Sequence, residues 1–425
     1  MTRTETMLHK ALKAIPAKHA HAHNKMLLRK LIEHIGDADA DHFSPELLGD
    51  IIQIHGEMAQ KRTSGIAQIK IRTVTNETEG NSGRMTTIDF VGDDYAFLVD
   101  SIAAEINNND FLIDLLVHPI LYSQYDDNDT LTDVSDEPKE GYIQQSHIHI
   151  QIKDTPPQEA LDRLENGLHE IVKDVQLTNR DWPQMLECLA QAREDLANAK
   201  TRRPLSEVQQ YCDFLDYLHK NNFTLLGYRE YEFIQKNGEL KSRTKKKSSL
   251  GLLHNEIRPA YISDCEEGLP RNLQEKRKNL APLTISKTNR LSTVHRRVPM
   301  DAIAIKTYDA DGNVKGEKLF LGLFTSVTYS RSVSDVPYLR EKVQQVIELS
   351  GTIPDSHNRK ALGHILEKYP RDELFQMEPS QLLEIATSIM RLQERQRIAL
   401  YIRKDPFKRY ISCLVYIPRD RFGTT

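Results

Sequence analysis

Glycine is scarce in this chain, at 19 of 425 residues, below the roughly 7% typical of proteins. The patterns GxGxxG, GxxxxGK[ST], GxSxG and HExxH are all absent. Because a nucleotide-binding loop needs glycines where the backbone approaches phosphate, the sequence argues against a familiar cofactor-binding catalytic domain within these residues. Composition leaves open an enzyme that lacks such a signature.

Cysteine is scarce, and long apolar runs and an excess of one charge are missing. The four cysteines (Cys188, Cys212, Cys265 and Cys413) form no CxxC pair, which is typical of reduced thiols in a cytoplasmic protein. No run of about 18 apolar residues predicts a membrane span. The 57 basic and 61 acidic residues leave a net charge of −4, which excludes a generally basic nucleic-acid binder. We therefore expect a cytoplasmic protein with neither a nucleic-acid nor a membrane partner.

Hydrophobic periodicity divides the chain into helical and sheet-rich parts. Residues 25–62 have helical spacing, and residues 66–74 alternate as a strand does. From 85 to 177 the predicted order is β-α-β-β-α, most of a ferredoxin-like unit. One strand is predicted over 111–126 and a loop over 126–141.

The second half has the same mixture. Residues 205–335 predict an α+β module with antiparallel hairpins, and residues 336–396 predict helices. The predicted strands of the α+β module include 281–286, 293–296, 301–308 and 318–327. Two apolar runs, 398–402 and 411–417, flank a turn and predict a hairpin. Since two strands alone are marginally stable, we expect the chain to stop inside a domain.

Asp93 and Asp94 are the first candidate site, because they lie between a predicted strand and a predicted helix. Such a loop can hold an amino acid, with a carboxylate for its ammonium and free N–H groups for its carboxylate. Capping of the helix by Asp93 or Asp94 explains the same residues.

Histidines suggest metal binding more weakly. His147 and His149 share one face of a strand and His118 lies on a neighbouring one, but no spacing fixes a third ligand and a solvated strand face gives the same pattern. His19, His21 and His23 form a loose histidine tract. We predict no metal ligands in this chain.

Charged runs carry no catalytic prediction. Arg243–Lys247 and Arg296–Arg297 could bind phosphate, but no aromatic residues alternate with them, and an exposed hairpin explains them better. The acidic pairs Asp372–Glu373 and Glu137/Glu140 have no fixed geometry for acid–base work. We predict no catalytic residues.

Several strings resemble the large bacterial NAD-dependent glutamate dehydrogenases. The specific ones are IALYIRKDPFKRYISCLVYIPRDRF, including Arg403–Phe407, Ser412–Tyr416 and Pro418–Arg419, and NNFTLLGYREYEF. TTIDFVGDDYAFLVDSI, LLVHPIL and Gln144–His149 support them. The resemblance extends from about residue 25 to the end and covers ACT-like and PAS-like segments.

The resemblance implies a function for a longer polypeptide. The full-length enzyme would oxidise L-glutamate to 2-oxoglutarate and ammonium with NAD, through a catalytic domain downstream of this chain. This chain would be a regulatory and assembly region without a cofactor of its own, associating through ACT-like domains and sensing an amino-acid effector. ACT loops have the form Asp-x-Pro-Gly, and the matching residues are Asp93, Asp94, Tyr95 and Ala96. The missing glycine removes easy close approach of the backbone.

The resulting fold class is α+β, with a ferredoxin-like ACT-type βαββα module and a PAS-like α+β module joined and flanked by helices. The predicted division is a helical N-terminal arm (1–64), a first ACT-like domain (65–180), a linking helix (181–204), a PAS-like domain (205–335), a helical connector (336–396) and the first hairpin of a truncated second ACT-like domain (397–425). Two alternatives stay open: a freestanding sensor or scaffold, and a metal hydrolase using His118, His147 and His149.

Overall fold

The computed structural model describes residues 22–35, 39, 43–78, 81–236, 239–245, 247–254, 281–392, 395, 397–405 and 410–419. The predicted positions His19, His21 and Cys265 lie outside these residues. The chain forms two compact units, one running to Asn179 and including Thr293–Arg297, the other comprising Arg180–Ser292 and Val298–Thr425. The mixed α+β class and the antiparallel sheets are confirmed.

The first unit combines helices with a six-stranded antiparallel sheet. Its elements are α1 (Ala22–His34), α2 (Pro45–Gln60), β1 (Gln68–Thr78), β2 (Asn81–Asp93), α3 (Leu98–Asn108), β3 (Ile113–Val117), β4 (Ile120–Tyr125), β5 (Leu131–Ser135), β6 (Ile143–Ile152) and the first half of α4 (Gln158–Ala197). The strand order is β1-β2-β6-β4-β5, and β3 also pairs with β6. The extra strand expected at 66–74 is β1.

The segment 111–126 is not the single strand that its apolar run predicts. It forms β3 and β4, interrupted at His118 and Pro119. A proline has no N–H to donate to a ladder, and the Pro119 carbonyl instead accepts a hydrogen bond from the His147 N–H at 3.0 Å. β5 lies within the predicted loop 126–141, so that prediction was also wrong in part.

The N-terminal helices pack on this sheet. Ser44 caps α2 by accepting a hydrogen bond from the Leu47 N–H at 3.1 Å, with Pro45 in the first turn, as the sequence predicts. Apolar side chains of α1 and α2 form one buried cluster with side chains of β3, β4 and β5, namely Leu115, Val117, Leu121 and Val134. The helical arm therefore shares a core with the strands. The domain boundaries themselves stay a prediction.

Both faces of β6 are buried, and they differ in chemistry. Successive strand residues point to opposite faces, so Ile148 and Ile150 lie on one face and His147, His149 and Gln151 on the other. A sheet face built from polar residues is thus removed from water, which requires these groups to find partners within the protein.

Helix α4 runs without interruption from Gln158 to Ala197. The sequence predicts a separate linking helix from residue 181, and the structure shows instead one 40-residue helix containing Pro183. Pro183 removes the hydrogen bond to the Asn179 carbonyl. The two compact units divide at that carbonyl, between Asn179 and Arg180.

The second unit has its own six-stranded antiparallel sheet and a helical part. Its elements are the rest of α4, α5 (Leu205–Tyr217), β7 (Phe223–Lys236), β8 (Glu239–Thr244), β9 (Leu250–Gly251), β10 (Leu283–Leu291), β11 (Pro299–Tyr308), β12 (Val314–Phe324), α6 (Ser326–Ser330), α7 (Pro337–Leu349), α8 (His357–Lys368), α9 (Arg371–Gln376), α10 (Pro379–Leu392), β13 (Ala399–Lys404) and β14 (Ile411–Tyr416). The sheet order is β10-β11-β12-β7-β8, with β9 pairing β7.

The strand predicted at 293–296 is wrong. These residues form bends, and His295 has a left-handed backbone with φ of 66°, which an extended strand does not accommodate. The helices predicted from Pro337, His357 and Pro379 are confirmed as α7, α8 and α10.

The C-terminal hairpin is confirmed, since β13 and β14 pair antiparallel. One face places Tyr401, Leu414 and Tyr416 against the main core of the second unit. The other face is apolar and more than 40% exposed: Ile398, Leu400, Ile402, Ile411, Val415 and Ile417. Among the described residues, no helix combines the length and apolarity needed to cross a membrane.

Candidate functional site

Asp93 closes β2, and its carboxylate is held by its own chain. It forms an ion pair with Arg62, whose side chain is only 1% exposed. The other carboxylate oxygen accepts hydrogen bonds from the Gly65 N–H at 2.8 Å and the Ser64 hydroxyl at 3.1 Å. Asp93 therefore anchors the turn that precedes β1.

Asp94 is engaged in a different direction, toward β6. It accepts hydrogen bonds from the Ser146 hydroxyl at 2.6 Å and the Gln144 amide at 2.8 Å. His118 Nε2 lies 2.9 Å from Ser146 Oγ and 3.8 Å from Asp94 Oδ1. Burial, which outweighs the attraction of Asp94, lowers the pKa of His118. His118 thus belongs to this loop and not to a cluster with His147 and His149.

The capping role predicted for Asp93 or Asp94 is wrong. α3 begins at Leu98 after Phe97, which has a left-handed backbone with φ of 68°, and no side chain caps the helix. Tyr95 approaches Asp93 with its hydroxyl at 3.4 Å, and the Ala96 carbonyl accepts a hydrogen bond from Asn179 at 3.1 Å. An amino-acid ligand at this loop would have to compete with bonds that both carboxylates already make.

A second polar cluster lies at the centre of the first unit. Strand register sets Asp89 of β2 directly opposite His149 of β6, and His55 of α2 reaches the same carboxylate. His149 Nδ1 lies 2.7 Å and His55 Nε2 lies 3.2 Å from Asp89 Oδ1, and all three side chains are fully buried. Arg72 donates to the other oxygen at 3.0 Å.

The hydrogen bonds extend on both sides of Asp89. His55 Nδ1 lies 3.3 Å from His147 Nδ1, and His149 Nε2 lies 3.1 Å from the Gln151 amide nitrogen. Since the carboxylate only accepts, the facing nitrogens of His55 and His149 carry protons. In neutral imidazoles the remaining nitrogens accept from His147 and Gln151. His147 Nε2 is then buried without a hydrogen-bond partner.

The electrostatics of this cluster favour an ionised Asp89 carboxylate. Burial raises the pKa of Asp89, but the contacts with His149 and His55 outweigh it and hold that pKa well below its usual value. Burial, reinforced by His55 and His23, holds the pKa of His147 well below 6.5. The charge of Asp89 is balanced by Arg72.

Sequence reasoning missed His55 and Asp89. His55 lies on the apolar stripe of α2, and a histidine on such a stripe reads as core. Asp89 occupies an inward position between Ile88 and Phe90 of a central strand, where an unpaired carboxylate is costly. Because side chains alternate across a strand, the same sequence pattern predicts a solvated face for Asp89, so no local signal indicated its buried partners.

The second unit contains a cleft of about 960 Å³ whose walls carry charged residues that pair with one another. Lys306 and Glu317 form a buried ion pair at 2.6 Å. Of the basic run, Arg243 pairs with Glu232 and Lys245 with Glu230, each at 2.7 Å. These basic side chains are matched by acids of the neighbouring strand, which leaves the phosphate-binding interpretation without support.

The acidic residues Asp372 and Glu373 form ion pairs with two different basic residues. Asp372 lies 3.2 Å from Lys287, which also pairs with Asp301 at 2.9 Å. Glu373 accepts two hydrogen bonds from Arg403, at 2.5 and 2.8 Å, so it secures the end of β13, next to the hairpin turn. Neither geometry resembles an acid–base pair.

Asp301 predicts a pH dependence of stability in the second unit. Burial, partly opposed by Lys287, raises its pKa to about 6 from 3.8. The folded state then binds more protons at Asp301 than the unfolded state between these values, so the contribution of Asp301 to stability is fully present below pH 4 and is lost as pH rises through 6. The shift corresponds to roughly 3 kcal/mol. We expect Asp301→Asn to remove this fall in denaturant titrations and Asp372→Asn to retain it. Parallel curves for wild type and Asp301→Asn would contradict the assignment.

Comparison with known proteins identifies the family of this chain. Residues 27–168 match the family model "Glutamate dehydrogenase, ACT1 domain", residues 336–395 match "Glutamate dehydrogenase, helical motif 1", and residues 399–425 match "Glutamate dehydrogenase, ACT2 domain". The NAD-specific glutamate dehydrogenase of Halomonas elongata is 32% identical over 367 residues, 84% of this chain and 22% of that protein. The chain belongs to the NAD-specific glutamate dehydrogenase family. The resemblance inferred from the sequence is confirmed.

Two further NAD-specific glutamate dehydrogenases also match most of this chain and a small part of their own length. The Pseudomonas aeruginosa protein is 31% identical over 362 residues, 84% of this chain and 22% of that protein. The Mycobacterium tuberculosis protein is 26% identical over 286 residues, which are 67% of this chain and 16% of that protein. The chain thus spans about a fifth of the length of the Halomonas elongata and Pseudomonas aeruginosa proteins. A solved RNA-binding light-oxygen-voltage receptor aligns with 76% of this chain and 90% of its own, at 7% identity and a TM-score of 0.15, too low to support an argument.

Proposed function

We propose that this chain is a regulatory and assembly region of an NAD-dependent glutamate dehydrogenase whose catalytic domain lies elsewhere in the polypeptide. The match of residues 27–168 to the glutamate dehydrogenase ACT1 domain is the observation that carries this proposal. The whole enzyme would convert L-glutamate, NAD and water to 2-oxoglutarate, ammonium and NADH in the cytoplasm.

The residues described here do not fit NAD. A dinucleotide site of the common kind uses a parallel sheet with a glycine-rich turn between a strand and a helix. Every described strand pair is antiparallel, and the chain has no GxGxxG. NAD is therefore a cofactor that we propose for the full-length enzyme alone.

Assembly is the better supported of the two regulatory roles. β1 lies at one end of the first sheet, so the outer edge of an 11-residue strand can pair with another chain. Amino-acid sensing through Asp93, Asp94, Tyr95 and Ala96 requires a ligand to displace hydrogen bonds made within the chain. We propose self-association through the ACT-like unit, and effector binding at this loop only for a ligand that displaces these hydrogen bonds.

Two further assignments complete the proposed organisation. The sheet of the second unit, in which the first and last long strands β7 and β12 pair at the centre, supports a PAS-like module. The exposed apolar face of β13 and β14, together with the ACT2 match, supports the hairpin as the opening of a second ACT-like domain whose later residues would cover that face.

The proposed function predicts self-association without catalysis. We expect the purified chain to form no NADH from glutamate and NAD, and to sediment as a dimer or larger species. The double variant Ile402→Asn/Val415→Asn is the control, because it removes apolar side chains more than 50% exposed on the hairpin. Association that persists in this variant comes from other surfaces, as proposed. NADH formation, or a chain that is monomeric once the hairpin is altered, would overturn the proposal.

A further inference from the structure

The cluster around Asp89 has the composition and spacing of a metal centre. We propose that His55 Nε2, Asp89 Oδ1 and His149 Nδ1 bind a divalent ion of the zinc class. These three atoms lie within 4.8 Å of one another, and they form the one such group found in the described part of the chain. Imidazole nitrogen and carboxylate oxygen are both preferred ligands of Zn²⁺.

The neighbours of the three ligands match those of metal-bound side chains. A histidine that binds a metal donates its other ring N–H to a polar partner, and a carboxylate ligand is itself hydrogen-bonded. Here His147 Nδ1 faces the distal nitrogen of His55, and Gln151 faces that of His149. Arg72 bonds the second oxygen of Asp89. Each ligand is therefore already oriented by a residue outside the group.

Binding needs no change in the number of protons in the cluster. When the metal takes the lone pair of His55 Nε2, the proton moves to Nδ1 and is donated to His147 Nδ1, while the His147 proton moves to its Nε2. The His149 proton moves in the same way from Nδ1 to Nε2, which donates to the Gln151 oxygen once that amide turns. For imidazoles that start neutral, these transfers conserve the number of protons and leave Asp89 ionised.

The geometry requires a small adjustment. Zinc bonds of about 2.0–2.2 Å in a tetrahedral shell place ligand atoms roughly 3.4 Å apart, whereas the two pairs lie 2.7 and 3.2 Å apart. Moving the ligand atoms of each pair a few tenths of an ångström further apart gives the spacing that zinc requires. Arg72 stays on the second oxygen of Asp89 at 3.0 Å, so the carboxylate lies between the guanidinium and the ion.

The position of the ion defines its role. His55 belongs to α2, while Asp89 and His149 belong to adjacent strands, so the ion would bind the helix to the polar face of the sheet. Because all three side chains have 0% exposure, a substrate cannot reach it. The site is therefore structural, with a water completing the shell, and its chemistry differs from the hydrolase alternative built on His118, His147 and His149.

Metal analysis of the untagged chain tests the proposal. After equilibration with Zn²⁺ and removal of free metal we expect about one ion per chain, and Co²⁺ should give the intense visible bands of a tetrahedral site. His149→Gln and Asp89→Asn should abolish both signals. His118→Gln, and a variant with His19 and His21 changed to alanine, should retain them. Folding of every variant is checked by circular dichroism.

A milder variant tests the proposal without changing any of the three ligands, so misfolding does not confuse the result. Gln151→Ala removes an orienting partner and no ligand, so metal affinity should fall by about 10- to 100-fold while the chain stays folded. The proposal fails if the wild type binds no stoichiometric metal. It also fails if metal follows the His19/His21 tract, or if folded His149→Gln binds as tightly as His118→Gln.

Discussion

Replacing Asp93 with alanine is expected to destabilise the first unit by roughly 3–5 kcal/mol, the cost of leaving one member of a buried ion pair uncompensated. The Arg62 side chain is 1% exposed, so water cannot solvate its charge once the carboxylate is gone. The Gly65 N–H and the Ser64 hydroxyl lose an acceptor as well.

The measurement is urea unfolding combined with hydrogen exchange of β1, β2 and β6. Asp94→Ala is the matched control, since it removes the adjacent carboxylate, whose side chain is about 20% exposed. We expect it to cost less, about 1.5–3 kcal/mol, the value of hydrogen bonds to a charged group, because no buried charge is left unpaired. Equal losses for the two variants would show that the Arg62 pair does not hold this turn.

This prediction changes how effector binding should be examined. If Asp93→Ala unfolds the loop, lost amino-acid binding in that variant would not identify Asp93 as a ligand-contacting residue. Asp94→Asn keeps the shape of the side chain and the acceptor for Ser146, so it suits calorimetry with amino acids better. Heat of binding that is present in wild type and lost in Asp94→Asn would support sensing at the loop.

Local signals in the sequence were sufficient for most elements of the fold. Ser44 and Pro45 mark the start of α2 because a side-chain cap and a missing N–H both suit a first turn. The alternation around His147 and His149 predicts β6 because side chains alternate across a strand. These features depend on neighbours within a few residues, which a sequence pattern displays.

Features that depend on distant partners were not accessible in this way. Asp93 looks like a helix cap or a ligand residue until the chain folds Arg62, 31 positions earlier, against it. His147 and His149 look like a solvated strand face because nothing near them in sequence shows that α2 covers that face. Strand register, and not spacing along the chain, pairs His149 with Asp89.

Replacing Lys342 with methionine is expected to destabilise the second unit by an amount comparable to that of Asp93→Ala in the first. The Lys342 ammonium on α7 donates to the carbonyl oxygens of Leu374, Phe375 and Met377 at 2.8, 2.9 and 2.9 Å. These carbonyls lie at the end of α9, where a helix leaves acceptors unpaired and its dipole favours a cation. A lysine of one helix thus caps the C-terminus of another inside helical motif 1.

Burial lowers the pKa of Lys342 to about 7, and the three carbonyl oxygens oppose that by stabilising the charged ammonium. Methionine avoids the cost of burying a charge but leaves three buried acceptors unpaired, each worth about 1–3 kcal/mol. We therefore expect a net loss of roughly 3–5 kcal/mol in denaturant unfolding. Arg340→Ala, about half exposed on the same helix, should change stability by less than about 0.5 kcal/mol. If Lys342→Met matched that control, the acceptors at the end of α9 would have to be satisfied by water, and the lysine would not be what joins α7 to α9.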